Sequence, residues 1–286
     1  MRFLSTVGSV MEYCSQTVRP LGLVPTMGYL HEGHLELIRK ARGENTTVLV
    51  SIFINPAQFS TDEDYKIYPR DLQQDLILLQ EEGVDLVFAP TVAAMFPYGS
   101  DTWVEVNELG RRLEGKHRPG HFRGVTTVVA KLFNIVRPDR AYFGQKDGQQ
   151  VVIIRRMVAD LDVQVDVVVV PTVRGADGVA MSSRNTGLTI TERSAASVIF
   201  SALMKGQESW EQGERDAEVI RREVRRVLQK EVLIKKIDYV SVANMDTLEE
   251  LDTVNGAAMI SVAVWMGRVR LIDNVVVGGS PLSARP

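Results

Sequence analysis

Cysteine is almost missing from this chain. Cys14 is the single one, so no internal disulfide can form, and that usage fits a reducing cytoplasm. A lone cysteine more often packs as a small hydrophobe than serves as a reactive thiol. Long apolar runs are missing as well. The most apolar stretch, 257–266, is far too short to span a bilayer, so no membrane partner is expected. No targeting segment is expected either, because the apolar run in MRFLSTVGSVMEYC is broken by polar residues and stops at Glu12. There is no excess of positive charge. A formal net charge of −3 speaks against a nucleic-acid partner, which would want a clustered basic surface. Two common nucleotide motifs are also missing: neither GxxxxGK(S/T) nor GxGxxG occurs. A nucleotide would have to be held by histidines, helix ends and isolated Lys or Arg.

What is present alternates. Short apolar runs, LGLV (21–24), TVLVSIF (47–53), VDLVFAP (84–90), RAYFG (140–144) and VDVVVVP (165–171), are separated by helical patterns. The helical patterns include 34–42, 70–83 with Leu72, Leu76 and Leu79 on one face, 122–136 and 149–161. Five such strands predict an α/β fold: a Rossmann-like, doubly wound parallel sheet with helices on both faces. After Pro171 the character changes to a hairpin signal around Asp177-Gly178, a helix opening near Thr191, a second helix over 214–230 and three longer strands. We expect residues 1–175 to form the Rossmann-like domain. A smaller α+β domain over 176–286 would carry the MSSRN loop at its start. The closing SPLSARP is expected to fray.

Several stretches carry chemistry. In LGLVPTMGYLHEGHLELI (21–38) a strand breaks at a glycine-bearing turn, and a helix follows whose start carries His34. A helix start attracts anions through its N–H groups and dipole, and His31 and His34, three apart, can both donate to one phosphate. Gln58 lies just past the second strand; its amide can bond a hydroxyl and a carboxylate, although loop amides usually bond local backbone. Arg118 sits in a basic, glycine-bearing loop and suits a carboxylate or phosphate. Lys146 offers a point charge beside Gly144, where backbone approach is open, and Asp147 is a helix-cap candidate. Ser182, Ser183 and Arg184 place two hydroxyls and a guanidinium together.

MGYLHEGH resembles the HIGH-type motif of the nucleotidyltransferase superfamily, and the longer PTMGYLHEGHL resembles the pantoate–β-alanine ligase family. Further stretches fit in order. SIFINPAQF (51–59) resembles the family's FVNPxQF with Ile54 for Val, and Tyr68-Pro69-Arg70 its YPR. RPGHFRGV (118–125) resembles RPGHFxGV. FGQKDGQQ (143–150) resembles FGxKDxQQ, although Gln145 stands where Glu is frequent and Gly148 where an aromatic is. MSSRN (181–185) is the family's form of the mobile KMSKS-like element.

The resemblance implies ATP-dependent condensation of (R)-pantoate with β-alanine, giving pantothenate, AMP and diphosphate through a pantoyl-adenylate. Residues 1–175 would then be the nucleotide- and pantoate-binding domain. The resemblance implies His34, His31, Lys146 and Arg184 as catalytic residues. The nucleotide site would comprise Met27, Gly28, Tyr29, Leu30, His31, Glu32, Gly33, His34, Gly144, Gln145, Lys146, Asp147, Val173, Met181, Ser182, Ser183 and Arg184. Gln58 and Gln150 would bind pantoate, Gln58 also lying toward β-alanine, with Arg118 near the acyl or amine site. ATP with Mg²⁺, a homodimer and a cytoplasmic address are implied too. The Mg²⁺ ligands stay unassigned. Three rivals stand beside this reading: another adenylyl-transferring enzyme, a non-catalytic nucleotide-binding protein, and a zinc hydrolase built on the pairs His31/His34 and His117/His121. The zinc reading is weakened because HEGH has i,i+3 spacing, where a zincin needs i,i+4.

Overall fold

The computed structural model describes residues 1–59 and 61–279; the SPLSARP expectation lies outside the described residues. The chain divides into two compact units. The first comprises Met1–Gly144 with Gln150–Val170, and the second Gln145–Gln149 with 171–279.

The first unit is built on one parallel sheet. Its strands are β1 (Arg2–Leu4), β2 (Leu21–Thr26), β3 (Thr47–Ile52), β4 (Leu86–Phe88), β5 (Arg140–Gly144) and β6 (Asp166–Val170), in the order β1-β4-β3-β2-β5-β6. Every pairing is parallel. The doubly wound, Rossmann-like class is therefore correct, with one strand more than the five read from the apolar runs. The extra strand, β1, spans three residues and exposes Phe3. No apolar run announces it; it is a strand because Arg2, Phe3 and Leu4 pair with Leu86, Val87 and Phe88.

The chain winds from β2 through β3 to β4 in one direction, and β5 and β6 lie on the other side of β2. The order thus reverses between β2 and β5, and ligands of such sheets sit beyond the carboxyl ends of the strands at that point. Thr26 closes β2 and Gly144 closes β5. The longer helices of this unit are α1 (Val7–Gln16), α2 (Glu32–Glu44), α3 (Leu72–Glu81), α4 (His121–Val136) and α5 (Gly148–Asp160), the last beginning in the short 145–149 piece of the second unit. Helix α2 buries Leu35, Leu37, Ile38 and Ala41 in a cluster with Val24, Val48 and Val50. Each fully buried aliphatic side chain there contributes roughly 1.5–3 kcal/mol, which fixes the helix start against the ends of β2 and β3.

Two helix readings need correction. Helix α2 starts at Glu32, with His31 as its N-cap, not at His34. Helix α3 packs Leu79 and Leu76 on the core as expected, but it also buries Asp75 and leaves Leu72, in its first turn, exposed.

The second unit has an antiparallel sheet of β7 (Ile234–Asn244), β8 (Ala258–Met266) and β9 (Val269–Val277). Helices α6 (Ser197–Glu211) and α7 (Ala217–Leu228) pack on it. Ile199, Leu203, Ile220 and Val224 join Val242, Ile260 and Val262 in one core. The expected opening at Thr191 falls inside a shorter helix, Ile190–Ala195, which Thr189 and Glu192 cap reciprocally. The second helix is shorter than 214–230, because Asp216 accepts from Glu218 and Val219 and starts it there. The hairpin signal is a tight turn whose arms meet at an antiparallel bridge between Arg174 and Ala180.

Candidate active site

The turn after β2 is held rigidly. Thr26 Oγ1 donates to Ser51 O at 2.8 Å and accepts from Gly28 N at 3.1 Å. Gly28 and Tyr29 are both left-handed, with φ of 76° and 52°. A Cβ on Gly28 would come within 2.8 Å of Asp75 Oδ2, so glycine is required there for space as well as for φ. The strained pair is pinned by Asp75, which is 2% exposed. Its two oxygens accept from Tyr29 N at 2.9 Å and Leu30 N at 2.7 Å.

The two histidines follow directly. Their rings stack with centroids 4.0 Å apart. His31 Nδ1 accepts from Gly33 N at 3.2 Å, and His34 Nδ1 accepts from His31 N at 3.3 Å. A ring nitrogen that accepts carries no proton, so each neutral imidazole keeps its proton on Nε2 and presents an N–H donor there. This changes the chemistry inferred from sequence. The N–H groups of Gly33 and His34 are already bonded within the cap, so the side-chain donors this turn offers an anion are the imidazole Nε2–H groups. Glu32 turns back along the helix and pairs with Arg39.

Gln58 closes a 3-10 turn, Pro56–Gln58, capped by Asn55. Its Nε2 donates to Met27 Sδ at 2.8 Å and its Oε1 accepts from Asn55 Nδ2 at 3.3 Å. A thioether is a weak acceptor, and this contact brings the predicted pantoate residue against Met27, a predicted nucleotide residue. Helix α4 supports the turn from behind. Gln58 O accepts from His121 Nδ1 at 2.7 Å and from Arg118 Nη2 at 3.3 Å. A Cβ on Gly124 would come 2.3 Å from Ala57 O, so the packing there is backbone to backbone. Arg118 is thus occupied in holding the Gln58 loop. Gln150 is half-buried in the first turn of α5.

In the second unit, Gln145, Lys146 and Asp147 form a 3-10 turn ahead of Gly148, and Lys146 Nζ lies 3.4 Å from Asp147 Oδ1. Asn274 Nδ2 donates to Gln145 O at 3.0 Å and Lys146 O at 2.9 Å, and Gln145 Nε2 donates to Asn274 Oδ1 at 2.8 Å. Val173 O accepts from Met181 N at 2.9 Å across the hairpin. Ser182 then caps a short 3-10 turn, Ser183–Gly187, through Oγ and Arg184 N, and Arg184 itself is exposed. One cleft is lined by Lys146, Ser182, Arg184, Asn185, Arg270 and Asp273. Two predicted phosphate-binding segments, far apart in sequence, therefore converge. Among the described residues no group of three or more His, Cys, Asp or Glu side chains could hold a metal ion.

A model of the pantoate-beta-alanine ligase family matches residues 2–276. The pantothenate synthetase of Roseiflexus castenholzii is 53% identical over 96% of this chain and 99% of its own length. That of Moorella thermoacetica is 51% identical over 96% and 98%. The chain belongs to the pantoate–β-alanine ligase family. Among solved structures, a pantothenate synthetase from Thermus thermophilus superposes with a TM-score of 0.92 at 47% identity, covering 96% of this chain and 99% of that one. The Francisella tularensis pantoate-beta-alanine ligase, solved with beta-gamma ATP and beta-alanine, gives 0.79 at 35% identity, covering 98% and 99%.

Within this ligase, the departures from the family pattern at Gly148 and Gln145 are accommodated. The space beside Gly148 is taken: a Cβ there would come 2.7 Å from Met259 Sδ. Gln145, in place of the frequent Glu, bonds an amide partner, Asn274. Burial raises the Asp75 carboxyl above its ordinary range, although the Leu30 and Tyr29 N–H groups pull the other way. Asp238 shows the opposite balance. Burial alone would raise it, but hydrogen bonds from Lys236 and Arg270 outweigh that and hold it at about 2. Burial pushes the Cys14 thiol up to about 11, which makes it a poor nucleophile.

Sequence reasoning missed Asp75 and Asn274, and singled out His121 only as half of a zinc pair, not as the support of Gln58. Asp75 was detectable, because it lies four residues before Leu79 on a stripe where a charge is out of place. Nothing in the local pattern marks Asn274.

Proposed function

We propose that this chain joins (R)-pantoate to β-alanine at the expense of ATP, through a pantoyl-adenylate. A carboxylate is a poor acyl donor, so a pantoate oxygen first attacks the α-phosphorus of ATP and the bond to diphosphate breaks. The β-alanine nitrogen then attacks the acyl carbon. The C–O bond to AMP breaks, the nitrogen loses a proton, and pantothenate and AMP remain. The enzyme's task is to stabilise charge on the transferring and departing phosphates.

The observation that carries this reading is the stacked pair at the sheet's switch point, His31 and His34, whose Nδ1 atoms accept backbone N–H groups. That arrangement keeps two pre-oriented Nε2–H donors, which suit phosphate oxygens. His34 donates to the departing charge and His31 to a neighbouring oxygen. Lys146, Ser182, Ser183 and Arg184 hold the triphosphate. Met27 to Gly33, Gly144, Gln145, Asp147, Val173 and Met181 shape the nucleotide site. Gln58 and Gln150 bind pantoate, Gln58 giving up its weak bond to Met27 Sδ for a substrate oxygen. Arg118 keeps the Gln58 loop in place and lies toward the acyl or amine site. Mg²⁺ would enter with ATP and offset charge on its phosphates, and no protein ligand is assigned to it.

A cytoplasmic homodimer belongs to the same proposal; among the described residues no helix is long and apolar enough to cross a membrane. ATP–pyrophosphate exchange tests the reading: pantoate should support it with no amine present. Strict dependence on β-alanine, or ADP as product, would overturn it.

A further inference from the structure

The phosphate-binding residues proposed for the second unit lie on two short segments, 145–149 and 172–185. Neither segment is a long element that could hold its own position. Both are anchored by neighbouring residues of β9. Asn274, 5% exposed, gives both of its N–H groups to the Gln145 and Lys146 carbonyls and takes the Gln145 amide on its oxygen. Asp273, also buried, takes Arg174 Nη1 at 2.6 Å and Nη2 at 3.0 Å. Arg174 opens the hairpin that leads to Ser182. Its guanidinium lies 3.9 Å over the Phe200 ring and donates to Gly178 O at 3.1 Å, so the whole turn moves with Asp273.

We propose that Asp273 and Asn274 are positioning residues that set the distance between Lys146 and Ser182–Arg184 for one triphosphate. Buried amides and carboxylates bonded at both ends have one low-energy arrangement, and a phosphate clamp tolerates about 0.5 Å of error. Gln145 fits this role. A glutamate there could not donate to Asn274 Oδ1. Asn274 would have to turn its N–H groups toward the carboxylate and lose the two carbonyls.

The proposal rests on the ligase reading and is tested with the full chain. In pantoate-dependent ATP–pyrophosphate exchange, Asn274→Ala should lower kcat/KM for ATP at least tenfold while the pantoate KM stays within twofold. Asp273→Asn should do the same. The discriminating measurement is epistasis: Asn274→Ala placed on Lys146→Ala should add less than threefold to the loss from Lys146→Ala alone. A purely structural role would multiply the two losses and move both substrates equally. If Asn274→Ala does not fold, as judged by thermal melting, Gln145→Ala replaces it, removing the bond to Asn274 Oδ1 while leaving the two Asn274 carbonyl bonds available, and giving a smaller loss of the same ATP-selective kind. ATP kinetics within twofold of the parent, or multiplicative losses, overturn the proposal while leaving the ligase reading intact. Absence of exchange in the parent protein overturns both.

Discussion

The two regions of this ligase proposed to face phosphate are held in different ways. The His31/His34 turn in the first unit is fixed mainly from within, by two left-handed residues and a reciprocal histidine cap, with one side chain from α3, the buried Asp75 carboxylate, bonded to two of its N–H groups. The Lys146 and Ser182–Arg184 segments in the second unit are fixed by side chains of a distant strand, and Arg184 at their edge is exposed. The first arrangement gives donors that do not rearrange as charge develops, which suits transition-state stabilisation. The second holds its base firmly and exposes the Arg184 side chain at its tip, which suits substrate closure.

The contrast predicts its own failures. The largest effect should come from the rigid region: His34→Ala should lower turnover by roughly 10²–10³-fold, the scale of one lost preorganised donor. The helix should lose about 1 kcal/mol of capping, so circular dichroism should remain that of a folded protein; near-normal turnover would remove His34 from the chemistry. Lys146→Ala comes next, with ATP binding and adenylation weakened by roughly 1.5–3 kcal/mol for a charge-assisted bond. Arg184→Ala should instead slow adenylation mainly and release free pantoate from the intermediate. Hydrogen exchange over 181–185 should slow when an adenylate analogue binds, and equal protection in both states would refute the yielding tip.

Gln58→Ala should weaken pantoate far more than ATP, by about 1–3 kcal/mol. Equal effects on the two substrates would move it out of the pantoate pocket. The smallest effects are on stability, and they carry opposite signs with pH. Asp238 titrates lower in the folded state than its ordinary value, so its contribution is present above pH ~4 and lost as pH falls toward 2, amounting to about 2 kcal/mol. The urea deficit of Asp238→Asn should therefore grow as pH rises. Asp75 titrates higher in the folded state, so its contribution declines as pH rises through the carboxylate range. The deficit of Asp75→Asn should shrink as pH rises above its ordinary carboxylate value, where the Asp238→Asn deficit is already level, and parallel pH profiles for the two variants would contradict the contrast.

Much of this was legible beforehand. Short apolar runs disclosed β2 to β6, because strands buried on both faces need no partner to be recognised. The motif turn, Gln58, Lys146 and MSSRN were legible as residue types in order. The start of α2 and the burial of Asp75 on α3 were not. A histidine cap reads like an ordinary loop residue, and the Asp75 carboxylate acquires its role only when the Tyr29 and Leu30 N–H groups arrive.

By itself the sequence determined the fold class, the family and the donors available for phosphate. Those depend on periodicity and on short motifs, which are local properties of the chain. Only the tertiary structure decided β1, which exists by pairing with β4. It also decided which nitrogen of each histidine carries the proton, and that Asn274 holds Lys146 across 128 residues. Hydrogen bonds between groups so far apart in sequence leave no period and no spacing to read; they appear only when burial brings the partners together and makes an unmet bond costly.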